Sequence, residues 1–298
     1  MHRNTLIEQI KQKKTYLCVG LDTDITKIPT HLQQNKNALV DFNKAIIDAT
    51  KEYCVSYKIN TAFYEALGSK GWHAMEETVN HIPSTHLKIA DAKRGDIGNT
   101  TAQYAKAFFE TLKFDAITVA PYMGEDSIRP FLEYEDKWTI VLGLTSNKGA
   151  ADFEMLKLVR GGTNQGNTNK HGEIMKLVRG DTNQGGGDVN YLYEHILKTV
   201  SQWGTPDNLM FVVGATQAAE LTNIRKIIPN NFLLVPGVGF QGGSLAEVHK
   251  YGSNADIGLL VNVSRAIIYA GHSENFATEA AEIAKQYQTE MKTYLIDN

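Results

Sequence analysis

The chain has 298 residues, 42% of them hydrophobic, and its 30 basic and 33 acidic side chains give a formal net charge of −3. That length suits one large domain or two small ones, and that charge balance gives no basis for a nucleic-acid or membrane partner. Nine histidines are scattered without an HExxH motif or a Cys/His cluster, which argues against a zinc site.

The opening Met1-His-Arg-Asn-Thr-Leu-Ile-Glu-Gln-Ile-Lys11 is amphipathic and lacks the apolar core of a secretory signal. Short runs that are apolar throughout follow at 16–21, 55–59, 87–90, 116–120, 139–144, 209–213, 232–235 and 257–261. Such runs read as strands covered on both faces. Amphipathic segments between them, at 38–53, 100–112, 191–203 and 245–251, read as helices. Cys18 and Cys54 fall in apolar strand-like runs, so buried free thiols and a reducing, cytoplasmic setting are expected. Eight strand–helix units predict an α/β fold, a single (β/α)₈ TIM barrel over 1–298, with an open doubly wound sheet as the alternative. In either architecture, polar residues at the C-terminal strand ends read as functional. Asp22, Lys58, Asn60, Asp91, Lys93, Thr145, Ser146, Asn147, Pro236, Gly237 and Arg265 all fall there.

One segment breaks the alternation. Lys157-Leu-Val-Arg-Gly-Gly-Thr-Asn-Gln-Gly166 returns as Lys176-Leu-Val-Arg-Gly-Asp-Thr-Asn-Gln-Gly185, differing only at Gly162 and Asp181. The composition predicts a repeated surface loop inserted over about 157–187, either a tandem duplication or an engineered insertion. Asp181-x-Asn183 loosely resembles a calcium loop but lacks that loop's closing acidic ligand.

Two constellations carry chemistry. In His86-Leu-Lys-Ile-Ala-Asp91-Ala-Lys93-Arg-Gly-Asp96-Ile97-Gly-Asn-Thr100, a strand ends in Asp-x-Lys-x-x-Asp. A period of two projects Asp91 and Lys93 to the same side, where they either form a structural ion-pair cluster or, with Lys58, do chemistry. Val235-Pro236-Gly-Val-Gly-Phe-Gln241-Gly242-Gly243-Ser244 is a glycine-rich turn into a helix, and Arg265 follows the eighth strand. Backbone amides and a guanidinium at that corner of a barrel suit a phosphate. No dinucleotide or Walker fingerprint is present, so no organic cofactor is expected.

These residues resemble the orotidine 5′-monophosphate decarboxylase family, in its longer-chain branch. The resemblance runs from about Tyr16 to Tyr269 outside the repeat and rests on Gly20-Leu-Asp22, Tyr57-Lys58-Ile-Asn60, Asp91-Ala-Lys93-Arg-Gly-Asp96-Ile-Gly-x-Thr100, Gly143-Leu-Thr-Ser146-Asn, Pro236-Gly-Val-Gly-x-Gln241-Gly-Gly and Ser264-Arg265. It implies a homodimeric barrel that turns orotidine 5′-monophosphate (OMP) into UMP and CO₂ with neither metal nor cofactor. It further implies a charged array of Lys58, Asp91, Lys93 and Asp96, with Lys93 protonating C6 and Asp91 facing the departing carboxylate. Asp22, Asn60 and Thr100 would hold ribose hydroxyls, and Asp96 and Thr100 would act across the dimer interface. Ser146 would read the pyrimidine edge and Pro236 would pack beside the base. Gln241, the amides of Gly242 and Gly243, and Arg265 would hold the phosphate.

Three other readings stay open on the sequence. A metal-dependent sugar-phosphate aldolase or keto-acid decarboxylase on the same barrel also uses Asp-x-Lys-x-x-Asp. A non-catalytic phosphate-ligand binder needs only the glycine–arginine corner. An engineered scaffold could carry the repeat.

Overall fold

A computed structural model describes residues 1–160, 175–178, 189–239 and 242–296. Eight parallel strands close a barrel: Leu17–Gly20, Ser56–Asn60, Leu87–Arg94, Ala116–Val119, Trp138–Leu144, Leu209–Val213, Leu233–Pro236 and Leu259–Val263. Each strand pairs with its neighbours in sequence. The first pairs with both the second and the eighth, with Leu17 opposite Val261 and Gly20 opposite Lys58. Closure removes the open doubly wound alternative. The first, fourth, sixth and eighth strands are buried at every position, because helices cover them outside and packed side chains fill the barrel.

Two details depart from the sequence reading. The eighth strand begins two residues later than the apolar run, since Ile257 takes a left-handed backbone and Gly258 follows it in the same region. The third strand continues past Ala90 to Arg94 through an irregularity. Ala90 faces Ile117 and Arg94 faces Val119, so Asp91, Ala92 and Lys93 all stand against Thr118 alone. That is a bulge, and it bends the strand end into the barrel mouth.

The helix Arg3–Lys13 closes the opposite end. Arg3 donates to the carbonyls of Pro206 and Asn230, just ahead of the sixth and seventh strands, and pairs with Asp256 ahead of the eighth. Cys18 and Cys54 are free and buried, and burial pushes both thiols up to about 12, leaving them inert. Among the described residues, no helix is long and apolar enough to cross a membrane.

The repeated segment is not wholly loop. Lys157–Arg160 and Met175–Val178 pair antiparallel, Leu158 against Leu177, and Lys157–Arg160 also pairs with Val189–Tyr191. Lys157–Arg160 of the first copy thus lies beside Lys176–Val178 of the second: Leu and Val favour strand pairing, while glycine and asparagine do not. The calcium-like Asp181 and Asn183 lie outside the described residues.

Candidate active site

A cavity of about 270 Å³ opens at the C-terminal ends of the strands. Asp22, Lys58, Asp91, Lys93, Ser146, Pro236 and Arg265 all line it, so residues up to 243 positions apart in sequence meet in one mouth.

One wall is an interlocked set of charges. Lys58, 4% exposed at its side chain, donates to Asp91 Oδ2 at 2.9 Å and to Asp22 Oδ1 at 3.2 Å. Lys93 Nζ donates to Asp91 Oδ1 at 2.5 Å, and the Thr118 hydroxyl donates to the same oxygen at 3.1 Å. Asp91 therefore accepts from three side chains. Burial alone would raise its pKa, but Lys58 and Lys93 outweigh burial and hold the carboxyl well below the usual carboxylate range. Burial would likewise lower Lys58, but Asp22 and Asp91 hold its ammonium above the ordinary lysine value. Removing one partner of such a set leaves an uncompensated buried charge, at a cost of about 3–5 kcal/mol.

Asp91 and Lys93 do meet, but not through regular strand alternation. Lys93 sits in the left-handed region at φ 46°, within the bulge, and its side chain folds back to Asp91. A left-handed non-glycine residue is disfavoured by about 1–2 kcal/mol, so the surrounding contacts must hold it there. The Lys93 side chain is half exposed, whereas those of Asp91 and Lys58 are enclosed.

The wall of Thr145, Ser146 and Asn147 is pinned from behind. Glu154 accepts from the Thr145 amide at 2.7 Å, and the Thr145 hydroxyl lies within 3.1 Å of both Glu154 oxygens. Gly214 makes room for Ser146: a Cβ there would come within 2.6 Å of the Ser146 Cβ.

The third wall is Pro236, Gly237 and Val238 with Arg265, and a glycine-rich turn continues from it. Gly237, Gly239 and Gly242 have φ of 100°, 77° and 89°, a path open to glycine. Here the Gly242 amide donates to the Gly239 carbonyl at 2.8 Å and the Gly243 amide to the Gly237 carbonyl at 3.2 Å. A Cβ on Gly243 would come within 2.4 Å of Ala215. Gly242 and Gly243 border a separate cleft with Ala215, Thr216 and Glu247 rather than the main cavity. Gln241 lies outside the described residues.

Other expected residues stand apart. Asn60 is in register with Asp91 on the rim, but its Oδ1 accepts from the Ala62 amide at 3.2 Å, and it does not line the cavity. Asp96 and Thr100 also lie outside the lining; Asp96 accepts from the Ile97 amide at 2.8 Å, beyond the bulge. Sequence reasoning gave no role to Thr118, Asn262, Ser264 or Glu154. A lone polar residue in an apolar strand was a readable signal for Thr118 and Asn262, and none marked Glu154. Among the described residues, no group of three or more His, Cys, Asp or Glu side chains could hold a metal ion.

Chemically, the mouth offers a partly exposed lysine side chain beside an enclosed carboxylate, with an arginine in the same lining. It can hold an anionic ligand between two positive groups and can deliver a proton from Lys93.

A sequence model described as the Orotidine 5'-phosphate decarboxylase / HUMPS family matches residues 15–280. The orotidine 5'-phosphate decarboxylase of Phocaeicola vulgatus is 52% identical over 295 residues, covering 98% of each chain. Among solved structures, Leishmania donovani OMP decarboxylase superposes with a TM-score of 0.73 at 33% identity, over 97% of this chain and 99% of that one. Leishmania donovani UMP synthase gives 0.75 at 34% identity, but there the chain spans 57% of the larger protein.

Proposed function

The chain belongs to the orotidine 5′-phosphate decarboxylase / HUMPS family, and from that premise we propose how its barrel mouth turns OMP into UMP and CO₂. The protein is a carboxy-lyase of pyrimidine biosynthesis. The observation that carries the reading is the Asp22–Lys58–Asp91–Lys93 array lining one cavity together with Arg265. Arg265, with Gln241, takes the phosphate, and Ser146 and Pro236 take the base. C6 and its carboxylate then lie against Lys93 and Asp91. The C6–carboxylate bond breaks, its electron pair stays on C6, and CO₂ departs. Lys93 transfers a proton to C6 and is reprotonated from water. An ammonium already fixed beside the carbon stabilises the developing charge without reorganising at the moment of reaction. The array needs neither metal nor organic cofactor for this step.

Loss of the orotidylate absorbance, followed in EDTA, tests the reading. Turnover unaffected by chelation is expected. A rate that vanishes in EDTA and returns with magnesium would establish the metal-dependent aldolase-like chemistry instead.

The working unit is a homodimer with shared sites. Asp96 lies outside its own cavity, and Ile97, Tyr122 and Met123, 55%, 95% and 43% exposed, crowd the loops after the third and fourth strands. These support an apolar contact that carries Asp96 and Thr100 to a second copy. Lys93→Ala and Asp96→Ala dimers should each be badly impaired. Mixed and refolded together, they should regain roughly one quarter of wild-type activity, because half the dimers are mixed and each holds one intact site. No gain despite proven heterodimers would place Asp96 outside a shared site.

A further inference from the structure

We infer that Thr118 is the positioning residue for the proton donor: one hydroxyl fixes both the Lys93 backbone and the Asp91 carboxylate. The inference rests on the decarboxylase reading and deepens it. Thr118 is 1% exposed, yet it lines the cavity beneath the charged array. Its Oγ1 accepts from the Lys93 amide at 2.9 Å and donates to Asp91 Oδ1 at 3.1 Å. A hydroxyl has one proton and two lone pairs, so both bonds form at once.

The strand register shows why this position matters. Three residues of the third strand, Asp91 to Lys93, stand against this one residue of the fourth, so the ladder offers the bulged amides no ordinary partner series. Lys93 is held at φ 46°, a backbone region disfavoured for a residue that carries a side chain. Its amide finds the threonine hydroxyl instead of a strand carbonyl. The same oxygen turns the Asp91 carboxylate so that Oδ1 meets Lys93 and Oδ2 meets Lys58. A valine would fill the same space but leave the Lys93 amide and Asp91 Oδ1 each one bond short. A serine would keep both bonds and lose only a methyl group.

That contrast separates positioning from packing. Wild type, Thr118→Val and Thr118→Ser are compared for OMP turnover and KM, and for exchange of the C6 hydrogen of UMP in D₂O by NMR. The exchange reads proton delivery at C6 without the decarboxylation step. Thr118→Val should lower kcat about 10- to 100-fold and slow C6 exchange in parallel, with KM changed less than about threefold, while Thr118→Ser stays within about threefold of wild type in both assays. Wild-type turnover in the valine variant, a loss confined to KM, or equal losses in valine and serine would overturn the inference. If Thr118→Val does not fold, the serine variant decides: a large kcat loss there refutes the hydroxyl's role, and retained kcat with retained exchange upholds it. A wild-type protein that leaves OMP unchanged would refute the decarboxylase reading itself, which is a separate outcome.

Discussion

The two sides of the cavity are built on opposite principles. The Lys58–Asp91–Lys93 side is side-chain chemistry on strands: enclosed charges neutralise one another and a buried threonine holds the bulge. The Pro236–Val238 side leads into a turn with left-handed glycines at 237, 239 and 242, where the Gly242 and Gly243 amides are bonded inside their own loop and border the neighbouring cleft. The first is set before any ligand arrives. The second must exchange loop-internal bonds for ligand bonds if those amides are to meet a phosphate. On the proposed reading, chemistry sits where nothing needs to move, and binding energy is gathered where something does.

The sharpest way to break this contrast is substitution on each side. Lys93→Ala should lower turnover on the order of 10³-fold or more, because it removes both the fixed positive charge and the proposed proton donor. Arg265→Ala should raise KM about 10- to 100-fold, with a smaller loss in kcat, since in the proposed reading it contacts a group unchanged in the reaction. Steady-state kinetics on both variants checks this, and equal small effects would remove the distinction.

A subtler consequence concerns pH. Asp91 is held ionised below the usual carboxylate range, so its contribution to stability is lost only as pH falls through that depressed value. Lys58 is held above the lysine range, so its contribution is lost only as pH rises through the raised value. Neither group titrates between about pH 5 and 9, and kcat should show no step from either there. Acid sensitivity should come from the far end of the barrel. His86 is buried, and burial together with the Lys13 ammonium 2.8 Å from its Nε2 pushes it down to about 4. The Lys51 carbonyl, the Thr85 hydroxyl and the Tyr57 ring also face it. The unfolded chain binds the proton first, so stability should fall by up to about 3 kcal/mol as pH drops from about 6.5 to 4. Denaturant titrations across that range should show a shallower slope in His86→Gln than in wild type. An unchanged slope would exonerate His86.

Much of this was legible in the residues. Eight apolar runs were enough for eight strands covered on both faces, because such strands have no polar face to confuse the pattern, but closure into a barrel rather than an open sheet rests on the pairing of the first strand with the eighth. Asp91 and Lys93 announced themselves by charge density at a strand end. Their meeting, however, depends on a bulge that no period of two describes, so Thr118 escaped notice although it interrupts an apolar strand. Glu154 escaped for a different reason: it reaches Thr145 across a turn nine residues away, and such a contact leaves no local trace. The repeat read as loop from its glycines and asparagines, while Lys157–Arg160 and Met175–Val178 within it pair as strands.

The contrast between a preset and an adaptable side is tested most directly by amide hydrogen exchange with and without UMP. A peptide containing Gly242 and Gly243 should slow about tenfold or more on binding, while a peptide covering residues 89–94 should exchange at the same rate in both states. Equal protection of the two peptides, or protection of the strand peptide alone, would contradict the account.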